Sequence, residues 1–202
     1  HNNLKELPDF ILELTKLITL DLSSNNLEEV PNFIQHLTGL TSLRISQNKL
    51  KEVPDFIKEL TQLITLDLSS NKLEEIPDFI GELTNLTSLR LSSSQLEKVP
   101  DFIKELKGIT SLYLSKNQIK DIPDFIGLLS DLSDLSFWDN PLEEIPEFIG
   151  KLENLSYLDL DNTRLTKVPE CIHKLVSLRS LDLRSNCIEE LPEFVCKLNN
   201  LQ

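Results

Sequence analysis

The sequence lacks several residue types on which common protein classes depend. It contains no methionine and no alanine, only five glycines and three cysteines, and aromatic residues make up 6% of it. No apolar run approaches the roughly 18 residues that a membrane-spanning helix requires, and no stretch resembles a signal peptide. Because an odd number of cysteines gives no disulfide framework, the composition leaves the redox compartment open.

Basic residues are also scarce. Lys and Arg number 20 against 33 Asp and Glu, which gives a formal net charge of −13. A protein that binds nucleic acid or an anionic membrane needs a contact surface on which Lys and Arg dominate. The sequence therefore predicts no nucleic-acid partner and no membrane span, and it is compatible with a basic protein partner.

Motifs that carry catalysis are missing as well. There is no glycine-rich phosphate loop, and none of His1, His36 and His173 stands near a Ser or Cys in a nucleophile motif. Paired acids such as Glu28 and Glu29 recur along the chain at a fixed spacing, which indicates a solvated edge. We predict that the chain is not an enzyme and has no catalytic residue, cofactor or metal.

What the sequence does contain is a repeat of 23 residues. Proline recurs at this spacing from Pro8 to Pro192, and only Pro141 falls outside the series. Phe follows each of these prolines by two residues, except where Cys171 replaces it. Between them lies the pattern LxxLxLxxNxL, as in residues 63–73. A fixed period of this length predicts a stack of similar supersecondary units.

Each unit has two predicted elements. Leu66 and Leu68 alternate with polar residues, which predicts a short half-buried strand. One strand per unit forces parallel pairing in a single sheet, with strands centred near Leu20, Leu43, Leu66, Leu89, Leu112, Leu135, Leu158 and Leu181. The return segment PDFIxEL, with Pro at its first helical position and an acid beside it, predicts one helical turn.

Two side-chain columns should hold the units together. The Phe column is expected to run unbroken through the core except at Cys171. The Asn column, from Asn25 to Asn186, should bond backbone groups that the turn after each strand leaves unpaired. Ser94 and Thr163 replace two of these asparagines, where we expect local loosening without loss of the fold.

The full pattern, LxxLxLxxNxLxxLPxxIxxL, resembles the leucine-rich repeat in its 23-residue form, as in Ras-suppressor and Scribble-type scaffolds and many bacterial proteins. The resemblance implies an α/β fold, a right-handed solenoid with a curved parallel β-sheet on the concave side and short helical turns on the convex side. It covers residues 1–202 as a single domain of eight complete strand motifs between half-units at 1–16 and 187–202. Since no capping elements are visible, we expect further repeats or end-to-end self-association.

The concave face departs from the template in its C-terminal half. Every Tyr and Trp of the chain lies there, on three consecutive strands, and such rings often dominate binding energy at interfaces. Acids surround them, with Lys116 and Arg184 as opposing charges. We predict a partner-binding site for a protein with a basic and apolar contact patch, formed by Tyr113, Trp138, Tyr157, Asp134, Asp139, Asp159, Asp161 and Arg184. In the N-terminal half, alternating Asp21, Arg44, Asp67 and Arg90 predict a self-neutralising charge ladder.

Several functions remain open at this level. The resemblance implies a non-catalytic protein-binding module, because the concave surfaces of this family commonly hold partner proteins. The alternatives are a self-assembling structural or surface protein, and the recognition arm of a larger enzyme.

Two further features leave questions open. Cys187, Cys196 and His173 offer fewer ligands than the four of a structural zinc site, so whether they bind metal is left open. The Lys-rich, Ala-free composition is typical of an AT-rich bacterial genome, and bacterial proteins of this style are often exported. The compartment is unknown, with a secreted or cell-surface location favoured.

Overall fold

The eight predicted strands are present in the computed structural model, which describes residues 2–201. The outermost residues of the predicted domain, His1 and Gln202, lie outside the described part. The strands are each three residues long and pair in chain order into one parallel sheet, which confirms the predicted pairing. They are β1 (Thr19–Asp21), β2 (Ser42–Arg44), β3 (Thr65–Asp67), β4 (Ser88–Arg90), β5 (Ser111–Tyr113), β6 (Asp134–Ser136), β7 (Tyr157–Asp159) and β8 (Ser180–Asp182).

The register of the sheet follows directly from the repeat. Residues 23 apart are partners, as for Leu66 with Leu89 and Asp67 with Arg90. The central leucines of β1 to β7 are buried in the core, while the flanking residues mostly point to the opposite, concave side. Each column of the repeat therefore becomes a straight row of side chains across the concave face.

The return segments form 3-10 helices of five residues, and the described residues contain no α-helix. Each helix begins at the residue after the proline, whose φ of −61 to −75° and ψ of 131 to 152° are extended. The prediction that Pro is the first helical residue was wrong, because the proline ring fixes φ and leaves ψ free. The helices are η1 (Asp9–Glu13), η2 (Asn32–His36), η3 (Asp55–Glu59), η4 (Asp78–Glu82), η5 (Asp101–Glu105), η6 (Asp124–Leu128), η7 (Glu147–Lys151), η8 (Glu170–Lys174) and η9 (Glu193–Lys197).

The prediction of an unbroken buried Phe column was also wrong. Phe56 and Phe102 are buried, but Phe10 is 64% exposed. The other five are only partly buried, although they still pack against the core, at Phe33, Phe79, Phe125, Phe148 and Phe194. The aliphatic residue that follows each Phe, Ile57 for example, fills the interior and is fully buried in most units. Among the described helices, the Phe and the residue that follows it are both buried only in η3 and η5, and in the other units that carry a Phe it lies at least partly exposed at the surface of the core. Cys171 is buried, as predicted.

Small residues set the spacing of the convex helices. A Cβ added to Gly150 would lie 2.8 Å from the carbonyl oxygen of Cys171, and one added to Gly127 would lie 2.9 Å from that of Phe148. Both distances are too short for real side chains. Glycine is therefore required where η6, η7 and η8 approach one another.

The asparagine ladder forms as predicted. Asn71, for example, accepts a hydrogen bond from the Leu50 N–H at 3.2 Å and donates to the carbonyl oxygens of Ile45 and Leu68, both at 3.0 Å. One buried amide thus joins backbone groups of two successive units. Next to Ser94 and Thr163 the strands keep their register, so the fold is retained at both interruptions of the ladder. The residue that follows each interruption adopts a positive φ, of 57° at Gln95 and 62° at Arg164.

Candidate binding face

The three predicted rings lie on adjacent strands of the concave face, and we call them the aromatic patch: Tyr113, Trp138 and Tyr157. Tyr113 ends β5, Tyr157 opens β7, and Trp138 lies two residues beyond β6. The tyrosines are partly buried, whereas Trp138 is 37% exposed. The straight columns of the repeat bring these rings together from residues 44 positions apart in the chain.

Two basic side chains cover rings of the aromatic patch. The Arg90 guanidinium lies 4.3 Å from the Tyr113 ring centroid, and the Lys116 ammonium lies 4.5 Å from the Trp138 ring centroid. Cations over aromatic faces are attracted by the ring quadrupole. Sequence reasoning missed Arg90 as part of this site, although it stands 23 residues before Tyr113 and so pairs with it in register.

The predicted charge ladder is only partly formed, because Arg90 turns towards the ring. Asp21 and Arg44 form an ion pair at 4.0 Å, with both side chains half exposed. Asp67 is the register partner of both Arg44 and Arg90, yet among the described residues it forms no ion pair with either. Its carboxylate instead accepts a hydrogen bond from the Ser69 N–H at 3.0 Å.

Hydroxyl groups hold the acids between the rings. Asp159 accepts hydrogen bonds from the hydroxyls of Ser136 at 3.0 Å and Tyr157 at 3.3 Å. Ser136 is itself 2% exposed and shares a hydrogen bond of 2.7 Å with Ser115. Asp134 accepts from Ser111 at 3.3 Å on the neighbouring strand. These bonds fix the carboxylates in place beside the rings.

Arg184 forms the C-terminal margin of the site. Its guanidinium lies 2.6 Å from the Asp182 carboxylate and 3.7 Å from that of Asp161, and its side chain is 76% exposed. The hydrogen bond from Arg184 holds the pKa of Asp182 below its ordinary value, so this carboxylate stays charged. The Oδ1 atom of Asp161 is buried and has no hydrogen-bond partner among the described residues.

Asp139, the remaining predicted acid, lies in the turn after Trp138 with a φ of 57°. It accepts a hydrogen bond of 2.6 Å from the Asn162 side chain. Its carboxylate is thus engaged with the neighbouring turn rather than with the rings. The structure brings Asp134, Asp159 and Asp161 to the aromatic patch and places Asp139 at its border.

Burial and charge keep the two phenols neutral. Burial, followed by the negative charge of Asp159, raises the pKa of Tyr157 from 10.0 to about 12. Burial and the charge of Asp134 also raise the pKa of Tyr113, against the opposing effect of Arg90. Both hydroxyls stay protonated at ordinary pH, and that of Tyr157 donates to Asp159.

The other chemical groups singled out in the sequence lie apart from this face. Cys187 and Cys196 are exposed free thiols, and the His173 ring packs edge-on against Phe194 with centroids 6.1 Å apart. Within residues 2–201 no group of three His, Cys, Asp or Glu side chains is arranged to hold a metal ion. Burial raises the pKa of the Cys171 thiol to about 11, so this thiol stays protonated.

Comparison with known families agrees with the architecture. A model described as a leucine-rich repeat region matches residues 1–91 and 145–202, and a model of two leucine-rich repeats matches residues 84–127. The chain is a leucine-rich repeat protein. Residues 128–144, which include Trp138, fall outside both matches. No curated protein matches the chain at a significant level.

Solved leucine-rich repeat structures resemble the whole chain. A leucine-rich repeat protein of Leptospira interrogans is 34% identical with a TM-score of 0.89 over 100% of this chain and 52% of its own, so this chain spans about half its length. Internalin C2 of Listeria monocytogenes is 25% identical, with a TM-score of 0.83 over 94% of this chain and 80% of its own. The Arabidopsis receptor kinase HAESA, solved with the peptide hormone IDA and the co-receptor SERK1, is 30% identical, with a TM-score of 0.82 over 97% of this chain and 34% of its own.

These likenesses bear on function at a coarse level. The leucine-rich repeat fold is commonly a protein-binding module, and the Arabidopsis structure shows a receptor that holds a peptide. None of the described helices is long and apolar enough to cross a membrane.

Proposed function

We propose that this leucine-rich repeat protein is a non-catalytic binding module whose aromatic patch contacts a partner protein. The observation that carries the proposal is the grouping of Tyr113, Trp138 and Tyr157 on adjacent strands, with Trp138 exposed beside a fixed rim of carboxylates. Amphipathic rings supply contact area at little entropic cost and retain polar groups for hydrogen bonds.

The charges around the aromatic patch favour a partner with an apolar contact flanked by Lys or Arg. Asp134, Asp159 and Asp161 lie beside the rings, and the chain as a whole carries a net charge of −13. Complementary charge of this kind mainly raises the rate of encounter. The rings would then supply most of the affinity, with the acids and Arg184 at the margin.

The test compares Trp138→Ala with Asp67→Ala on the same face. Partners are recovered on immobilised wild-type chain, and their affinity for both variants is measured by surface plasmon resonance. We expect Trp138→Ala to weaken binding by about 2 kcal/mol or more, roughly 30-fold, and Asp67→Ala to change it little. Asp67 is the matched control because it is a concave residue outside the aromatic patch.

The salt dependence of binding and a variant on the convex side provide two further tests of this proposal. Raised salt should slow association while leaving dissociation nearly unchanged, since the acids act on encounter. If the partner instead responds to Lys104→Glu, which alters the exposed side of η5, and not to Trp138→Ala, the concave assignment is wrong.

A further inference from the structure

The interrupted asparagine ladder leaves one backbone donor without its acceptor. In six units the ladder Asn accepts a hydrogen bond from the N–H of the residue 21 positions earlier, as Asn48 does from Leu27 at 3.0 Å and Asn117 from Leu96 at 3.0 Å. Ser94 stands where the acceptor for Leu73 would be. Its hydroxyl turns to the Ser92 carbonyl at 3.4 Å, and no described residue accepts from the Leu73 N–H.

The second interruption differs. At Thr163 the corresponding donor is Leu142, whose N–H donates within its own turn to the Asn140 carbonyl at 2.9 Å. Thr163 itself is fully buried and its hydroxyl bonds to the Leu160 carbonyl at 2.7 Å. The Thr163 interruption is therefore satisfied internally, whereas that at Ser94 is not.

A groove opens at the unsatisfied position. It has a volume of about 770 Å³ and lies between the third and fourth units, with Leu73, Ser94 and Gln95 among its lining residues. The equivalent grooves between other units have volumes of about 310 to 360 Å³ and do not reach the ladder. At this groove a serine stands where most other units carry the ladder asparagine, and Gln95 has a φ of 57°.

The chemistry of the groove selects its occupant. Leu73 is 3% exposed, so its N–H is a buried donor that costs free energy until an acceptor is supplied. Five carboxylates, including Glu74 and Glu75, line the walls against two lysines, Lys72 and Lys98. An occupant therefore needs an amide-type acceptor at the base and positive charge along the walls.

We propose that this groove binds an extended lysine- or arginine-bearing peptide segment of a partner protein. A backbone carbonyl of the segment accepts from the Leu73 N–H in place of the missing asparagine oxygen, which is the same chemical group. The basic side chains of the segment lie against Glu74 and Glu75. The site is on the flank of the solenoid and does not depend on the aromatic patch.

The experiment uses the blocked peptide acetyl-Lys-Gly-Lys-Gly-Lys-Gly-amide, titrated into isotope-labelled chain and followed by amide NMR. In the wild type we expect a saturable shift of the Leu73 resonance together with those of the other groove residues. Ser94→Asn restores the acceptor and fills the space, so the saturable shift is lost and Leu73 hydrogen exchange slows by about tenfold in the free protein. Thr163→Asn, the matched change at the other interruption, leaves the peptide shifts as in wild type.

Two further variants keep the outcomes distinct. Glu74→Gln with Glu75→Gln weakens peptide binding without altering the ladder, and Trp138→Ala leaves it unchanged. The proposal is overturned if the shifts are the same in Ser94→Asn, if they spread over the acidic surface without saturating, or if the Leu73 resonance does not move. A water molecule as the only occupant gives this last result.

Discussion

Replacing one ladder asparagine with alanine tests how the units are joined. Asn71 is 7% exposed and makes three well-formed hydrogen bonds, one accepted from Leu50 and two donated to Ile45 and Leu68, with a longer contact of 3.4 Å to Ser69. At about 1 kcal/mol for each bond, their loss removes about 3 kcal/mol. The Leu50 N–H, in a residue 1% exposed, is also left without an acceptor, so we expect Asn71→Ala to cost roughly 3 to 5 kcal/mol.

The assay is urea unfolding followed by circular dichroism, with the midpoint and slope fitted separately. Asn26→Ala is the matched control, because the Asn26 side chain donates only to Asn3, at 3.3 Å on the surface. We expect that control to change the free energy of unfolding by less than about 0.5 kcal/mol. If Asn71→Ala costs less than about 1 kcal/mol at unchanged slope, the ladder does not join the units in the manner described.

Three further changes test the packing and the aromatic patch. Phe56→Ala should lower the free energy of unfolding by about 3 to 5 kcal/mol in the same assay, whereas Phe10→Ala should lower it by less than about 1 kcal/mol. Equal losses would show that Phe56 is not buried in the core. Gly150→Ala should cost roughly 1 to 3 kcal/mol because its Cβ meets a carbonyl of η8, while Gly108→Ala, with nothing within 4 Å, should be neutral. Ultraviolet titration of phenolate should show a step at about pH 12 that Tyr157→Phe abolishes. Because the folded protein raises this pKa from 10.0, the stability that the protonated Tyr157 contributes is complete below pH 10 and is lost as the pH rises towards 12. A titration step at the ordinary pKa would contradict the effects of burial and charge on Tyr157.

The sequence predicted features that the repeat determines directly. A period of 23 with one strand per unit specified the strand centres, their parallel order and the row in which each side chain lies. The sequence did not specify the first residue of each helix or the burial of each Phe. The pattern PDFIxEL is compatible with a helix that begins at the Pro and with one that begins at the next residue. Which of Phe and Ile faces inward depends on the spacing of neighbouring helices, and that spacing depends on residues such as Gly150 in the adjacent unit.

The same distinction explains what was missed at the aromatic patch. The positions of Tyr113 and Trp138 follow from the register, but the side-chain partner that Arg90 contacts does not. Across the sheet, Arg90 lies between two register partners, the carboxylate of Asp67 on β3 and the aromatic ring of Tyr113 on β5. An exposed ion pair contributes little because water screens it, and Asp67 is already satisfied by a backbone N–H. The partly buried ring of Tyr113 offers Arg90 both apolar contact and a favourable quadrupole.

This choice shapes the binding face as a whole. With Arg90 over Tyr113 and Lys116 over Trp138, each of these two rings has one face covered by a cation from the N-terminal side. The carboxylate of Asp159 lies on β7, and that of Asp161 lies two residues beyond the end of this strand. Positive charge therefore precedes Tyr113 and Trp138, and beyond Trp138 the carboxylates of Asp159, Asp161 and Asp182 outnumber the cation of Arg184. The basic flank of the partner that we propose would lie towards Asp159 on β7, because the opposite side carries Arg90 and Lys116 and the margin at β8 carries Arg184. For the partner that we propose, the charge order of the concave face therefore favours one orientation.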